Sequence, residues 1–373
     1  IWMIKALLSM EQCLFYIFYI RGIYMKKKKI LALMTALSLS ITAVTPTVFS
    51  ISEVEVCAAS TETTLTDVDT IKTIQAMLNY MGYDCGNPDG VAGTNTKNAI
   101  NEYQNSKGQA QTGQLTASLL ADLYSDMLDI LEKTSQTYSD VLTSLSTNDS
   151  SCTSAPQQAA NGAYRAADML AVITKSLDTN NKYQDDIAGI QLKQIINNAT
   201  CSSAAQQEVN GLYRMVELLG IFAKELDTRS SYTDEIDKSL EELQTKDASC
   251  SKTPQQTVNG AYRAVELMNN IASQVSSYKR TSELSDIIST WYDNDVSSTS
   301  AVHQEVNGLY TCVKFLKIIA QEKDTKNKYS STIDTIMDTF ATNDNSCDYA
   351  PQQVVNGYYR MTELLAVIAT IVE

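Results

Sequence analysis

The chain has 373 residues, 44% of them apolar and 19% charged, with a formal net charge of −14. This composition excludes a collagen-like chain, a disordered acidic tail and a disulfide-dense miniprotein, and the length allows two or more domains with cores of their own. Residues 1–59 hold six basic and three acidic groups, leaving 23 basic against 40 acidic beyond them; a surface that acidic repels phosphate backbones and excludes nucleic acid as a partner.

From Met25 the chain runs through four lysines, an apolar stretch from Ile30 to Val44 and a Thr/Ser-rich segment ending Val56-Cys57-Ala58-Ala59. That order reads as a secretory signal peptide over 25–59, cleaved near Ala58 or Ala59. The apolar run is about 15 residues, short of the roughly 20 that a spanning helix needs, so no transmembrane anchor is expected after cleavage. Residues 1–24 begin with Ile and read as an over-extended frame ahead of Met25. Glu55 and Val56 stand where a lipid-modified cysteine would follow small residues, which argues against that role for Cys57.

Six of the 14 glycines fall between Gly82 and Gly113, so backbone demands concentrate there. Val68, Ile71, Ile74, Leu78 and Met81 recur at helical spacing behind the capping types Thr66 and Asp67, and Gly82 fits the position just past that helix. Asn87-Pro88-Asp89-Gly90 signals a turn. Thr94 or Asn95 can cap a second helix carrying Ala99, Ile100 and Tyr103, which Gly108 ends; a third starts near Thr116 with Leu119 and Leu120. The expectation over 60–122 is a bundle of three short helices with one ordered loop.

Ile74-Gln75, Leu78, Gly82-Tyr83, Gly86, Asp89-Gly90, Gly93-Thr94, Thr96, Ala99-Ile100, Tyr103-Gln104, Gly108 and Thr112-Gly113 together follow one pattern. Residues 64–122 thereby resemble the peptidoglycan-binding type 1 domain, with Ala92 and Tyr103 as departures from the family's preferred bulky residue and Phe. The resemblance implies a helical fold and wall binding without catalysis. It points to a shallow cleft of amide, hydroxyl and aromatic groups with Tyr83, Asn87, Thr94, Thr96 and Gln104 as candidate contacts. Thr94 also reads as a helix cap and Asp89-Gly90 as turn chemistry. A calcium loop is excluded, because the pattern would need a carboxylate at Cys85 and a Glu at Thr96.

After residue 150 the sequence repeats. Asn-Gly-x-Tyr recurs at Asn161, Asn210, Asn259, Asn307 and Asn356, at spacings of 49, 49, 48 and 49, each preceded three residues earlier by Gln. Capping types stand eight residues before each Asn (Thr153, Ser202, Ser251, Thr299, Asp348), and Pro156, Pro254 and Pro351 mark three helix starts. Asn-Gly usually signals a hairpin. Here Val209, Leu212, Tyr213, Val216 and Leu219 carry a helical stripe straight through Gly211.

A mid-helix Gly costs about 1 kcal/mol relative to Ala. Gly162, Gly211, Gly260, Gly308 and Gly357 therefore suggest that a neighbour approaches too closely for a methyl group. Tyr164, Tyr213, Tyr262, Tyr310 and Tyr359 share the apolar side and are expected in a structural polar network; solvent-facing, they would instead suit a repetitive polymer. Second helices begin around Tyr183, Tyr232 and Tyr329, so each copy is a helical hairpin, and 138–151 reads as a degenerate leading half-copy. Across 123–373 the hairpins should pack side by side. The repeats resemble no named family.

Arg165, Arg214, Arg263 and Arg360 each precede an acid by three residues, while the fourth copy has Thr311 and Lys314; the joint change favours ion pairs within one helix. Cys152, Cys201, Cys250 and Cys347 share one repeat position, where the fourth copy has Ser298. Export permits disulfides, but stacked helices about 8–10 Å apart exceed the roughly 7 Å Cα separation a disulfide spans. Small buried thiols at the helix entry are expected, with the redox state of these four, Cys85 and Cys312 left open. His303 is the one histidine and no C-x-x-C occurs, so neither a metal site nor a cofactor is expected.

The sequence thus reads as an all-α, secreted, non-catalytic, bacterial cell-wall-associated protein. A three-helix module binds peptidoglycan, and hairpin repeats of about 49 residues act as a spacer or as a platform for another protein or polymer. A wall hydrolase with a divergent helical catalytic region is the alternative.

Overall fold

The computed structural model describes residues 64–372 except 135, 150, 151 and 248. The segment 1–24 and the expected leader 25–59 lie outside the described residues. Within them the chain is helical, with thirteen α-helices, no strand and a single isolated bridge between Thr64 and Thr116. It divides into two compact units, residues 64–130 and 131–372.

The first unit is built on α1 (Val68–Tyr80), α2 (Thr94–Ser106) and α3 (Ala117–Lys133). Asp67 caps α1 by accepting from the Thr70 N–H and hydroxyl, both at 2.8 Å. Thr116 does the same for α3, its hydroxyl accepting from Leu119 N at 3.1 Å. The cap of α2 falls on Gly93, so Thr94 is the first helical residue, not the cap. Ile74, Leu78, Ile100, Tyr103, Leu120 and Leu123 close the core.

In the second unit five 23-residue helices, α5 (Ala155–Leu177), α7 (Ala204–Leu226), α9 (Thr253–Val275), α11 (Ala301–Lys323) and α13 (Ala350–Val372), carry the Asn-Gly-x-Tyr motifs. Their N-caps lie at Ser154, Ser203, Lys252 and Ser300, one residue beyond the capping types of the sequence pattern; of these only Ser300 has a side chain that accepts a helix N–H. Each long helix packs against the next, and α13 packs against α5. The five hairpins therefore form a closed ring instead of an open row.

The glycines set the spacing around this ring. A Cβ on Gly211 would meet Ala163, on Gly260 Leu212, on Gly308 Ala261 and on Gly357 Leu309, all at 2.7–3.0 Å, and on Gly162 it would meet Tyr358 at 2.7 Å. In every case the contact is the residue after the preceding copy's glycine, so the long helices run parallel and in register all the way round.

Shorter helices cover the outside: α4 (Tyr138–Ser144), α6 (Gln184–Thr200), α8 (Thr233–Glu242), α10 (Thr281–Ser297) and α12 (Ser330–Thr339). Three of them, α4, α8 and α12, end in a π-helical turn (Leu145–Asp149, Leu243–Asp247, Phe340–Asp344). α4 packs between α13 and α5, so the leading half-copy supplies the outer helix that the fifth hairpin lacks.

Inner and outer helices are joined by a repeated turn. Asp178 accepts from Lys182 N and Tyr183 N at 2.6 and 2.7 Å, Asp227 and Asp324 repeat the arrangement, and Asn181, Ser230 and Asn327 take positive φ within it.

Candidate functional site

The loop between α1 and α2 is held from below by two amides one turn apart on α1. Gln75, 1% exposed, accepts from Gly90 N at 2.9 Å and donates to Asp89 Oδ1, Val91 O and Thr96 Oγ1 at 3.0–3.1 Å. Asn79 donates to Gly86 O and accepts from Cys85 N, both at 2.7 Å. Asp84 and Asp89 fold the two halves into Asx turns by accepting from Gly86 N and Val91 N at 2.8 Å. Gly90 needs its positive φ of +79° and leaves no room for a side chain, since a Cβ would lie 2.8 Å from Val68 O.

The electrostatics follow from these contacts. The Gln75 amide, and behind it the Val91 N–H, hold the Asp89 carboxyl below the usual carboxylate range. Burial, with Asp84 beside it, pushes the Cys85 thiol up to about 12, so it is an inert core group. Tyr103 is raised by burial and by donating to Asp126 at 2.8 Å; Asp126 also pairs with Lys107 at 2.6 Å.

Two of the five candidate contacts lie inside. Thr96 is 1% exposed and sits in the Gln75 network. Gln104 is buried and pins the next loop, accepting from Thr112 N at 2.8 Å and Gly113 N at 3.2 Å. Three are at the surface. Asn87 and Thr94 are exposed, and the ideal Cβ of Gly86 lies 3.8 Å from Asn95 Nδ2, which sets the Asn87 segment beside the first turn of α2. Tyr83 lies at the other end of α2, bonded through its hydroxyl to Ser106 Oγ at 2.8 Å and packed edge-on to Tyr103 with ring centroids 5.7 Å apart. With 1.5 Å rise per residue, the twelve steps from Thr94 to Ser106 separate these ends by about 18 Å.

Between them runs a row of residues that the motif reading passes over. Asn95, Asn98, Glu102 and Asn105 are all exposed and recur at spacings of three, four and three along α2. The recurrence of asparagine on an outer helical face was the available signal, since Asn is a poor helix former and gains nothing there from packing. Val91, 61% exposed, and Val68, 52% exposed, add apolar surface beside Gly90.

Residues 67–123 match the family model of the putative peptidoglycan binding domain. The match covers the whole loop, α1 and α2, and ends within α3. No curated protein and no solved structure matches the chain.

Many of the ring's polar groups pair with one another, while the hydroxyls of Tyr164 and Tyr213 are buried without a hydrogen-bond partner among the described residues. Arg165, Arg214, Arg263 and Arg360 pair with the acid three residues on, at 2.6, 3.1 and 2.7 Å in the first three. Arg263 and Arg360 also reach Asp247 and Asp344 on the π-turns, at 3.0 and 3.1 Å. Gln158, Gln207 and Gln353 donate to the carbonyls of Cys152, Cys201 and Cys347. Of the repeat tyrosines, Tyr310 donates to Asp344 O at 3.0 Å and Tyr262 to Asp295; Tyr164, Tyr213 and Tyr359 are partly or wholly buried.

At the heart of the ring Glu208 and Glu305 are both buried, 8% and 5% exposed, and each carboxyl is raised above its ordinary range, first of all by burial; Thr257 donates to Glu305 at 2.8 Å. All six described cysteines are free; Cys85 and Cys312 are buried and the four repeat cysteines half-buried. Among the described residues no group of three or more His, Cys, Asp and Glu is placed to hold a metal ion, and no helix is long and apolar enough to cross a membrane.

Proposed function

We propose that this is an exported, non-catalytic bacterial wall protein that binds peptidoglycan through its first unit and presents the five-hairpin ring as a spacer or as a platform for another protein or polymer. The observation that carries the reading is the family match over 67–123, which coincides with the loop that Gln75 and Asn79 hold in place. Tyr83, Asn87 and Thr94 are the contacts at the two ends of α2, and Thr96 and Gln104 act by shaping the loops beneath. A site about 18 Å long suits an extended polymer better than a compact ligand. Asn95, Asn98, Glu102 and Asn105 then supply amide and carboxylate groups to its hydroxyls and amides along the way. One shallow face buries little surface, so attachment is weak and reversible.

A hydrolytic role for the ring finds no support in the Glu208–Glu305 pair, because a two-carboxylate mechanism needs a cleft that admits substrate and water, whereas this pair is sealed in the core. The test is to pellet fragments 60–130 and 131–373 with purified sacculi and to run the full chain in a zymogram. The reading expects the first fragment in the pellet, the second in the supernatant and no cleared band; a cleared band or pelleting by the second fragment alone contradicts it.

A further inference from the structure

The fourth copy is where the repeat departs from itself, with Ser298 for the cysteine, His303 for the glutamine before the Gln-x-x-Asn motif, and Thr311 and Lys314 for the arginine and its acid. These four residues line one cavity of about 560 Å³, together with Tyr310 and Phe340. No such opening is expected where the repeat is intact. In the other four copies the glutamine donates to the motif Asn at 3.0–3.5 Å, and the arginine occupies the neighbouring space with its ion pairs.

In the fourth copy Asn307, without its glutamine, donates instead to Trp291 O at 2.9 Å, and the Thr311 hydroxyl turns back to Asn307 O at 2.7 Å. Lys314 is half-buried and, among the described residues, makes neither an ion pair nor a hydrogen bond, and none of the residues lining the cavity is an acid. The Ser298 hydroxyl is buried without a partner. Tyr310 and Phe340 form an aromatic wall, their rings edge-to-face at 4.8 Å.

A half-buried cation without a counter-ion, an unmet hydroxyl and an aromatic wall define a receptor for a group with a negative end and an apolar body. We propose that this cavity binds a small organic carboxylate with a short peptide-like body, its carboxylate on Lys314 and its body against Tyr310 and Phe340. Asn294 and Asn345, both exposed, also line the cavity and offer their amides to the peptide groups. Burial lowers the Lys314 ammonium relative to an ordinary lysine, as expected of a cation that lacks a partner. The proposal concerns the second unit alone and is independent of the wall-binding reading.

The test is calorimetric titration of the full chain with N-acetyl-dialanine and, separately, with its C-terminal carboxamide. The acid is expected to bind at least tenfold more tightly than the amide, and Lys314→Gln to erase that difference with an unchanged thermal midpoint. Thr311→Arg with Lys314→Glu restores the pair of the other copies; it should abolish binding and leave the ring folded, as read by circular dichroism. Equal binding of acid and amide, failure of the acid to bind, or full affinity in a folded Lys314→Gln protein would each overturn the proposal.

Discussion

Gln75 shows how one side chain fixes a loop, since its single amide meets Asp89, Gly90, Val91 and Thr96. Replacing it by Ala strands these groups, two of them on the buried residues Gly90 and Thr96, and an unmet buried polar group costs about 1–3 kcal/mol. Urea unfolding of Gln75→Ala should show a loss of that order or somewhat more.

Two carboxyls make opposite predictions with pH. Asp89 is held below its unfolded value, so its contribution is present above the ordinary carboxylate range and is lost as pH falls through the lowered value. Glu305 is pushed up to about 7 by burial, so the folded ring favours the protonated acid. Its stability declines as pH rises from the unfolded value of about 4.5 toward about 7. Thermal melts of Glu305→Gln should therefore exceed the parent by a few degrees at pH 8 and match it near pH 4.5; an equal gain at both would show that packing, not charge, is responsible.

Among the helices, glycines separate two kinds of position. At Gly211 an added Cβ would lie 3.0 Å from the Tyr164 backbone nitrogen and 2.9 Å from Ala163 Cβ, atoms that cannot step aside. Gly211→Ala is expected to destabilise by about 1–3 kcal/mol, the usual cost of overpacking. Gly189, inside α6, has nothing within 4 Å, so Gly189→Ala should stabilise by about 0.5–1 kcal/mol through helix propensity. Denaturant midpoints of the two variants check the contrast.

The helices themselves were legible in the sequence. Asp67 announces a cap and Thr116 the start of a helix, Pro156 and Pro254 sit in first turns, and the stripe from Val209 to Leu219 overrides the hairpin signal of Asn-Gly. The π-turns after α4, α8 and α12 were not legible, because no local residue preference separates them from α-helix. The loop's surface was only half legible. Residue type cannot say that Thr96 and Gln104 point inward, whereas Gln75, a polar residue between Ile74 and Leu78 on an apolar stripe, carried a signal of its own.

At the scale of the molecule, the repeat period gave the neighbours but not the closure. A spacing of 49 residues states that hairpins follow one another; the turn each makes relative to the last comes from paired residue sizes, such as Gly162 against Tyr358. The degenerate half-copy read over 138–151 acquires a reason in the ring, since it contains α4, the outer helix between α13 and α5. A chain lacking residues 138–149 loses the side chains of Val141, fully buried, and Leu145, 6% exposed, and so uncovers the seam between α13 and α5 on which α4 packs. It should melt at a lower temperature and less cooperatively than the parent, and an unchanged melt would mean that the seam needs no outer helix.

Wall attachment through the face of α2 is the claim on which the functional account stands, and it is tested most directly by pelleting the full chain with purified sacculi. Tyr83→Ala with Asn87→Ala and Thr94→Ala removes both ends of the face and leaves the Gln75 network intact. The account predicts at least a tenfold loss of sacculus affinity with an unchanged circular dichroism spectrum; a folded triple variant that pellets as well as its parent would contradict it.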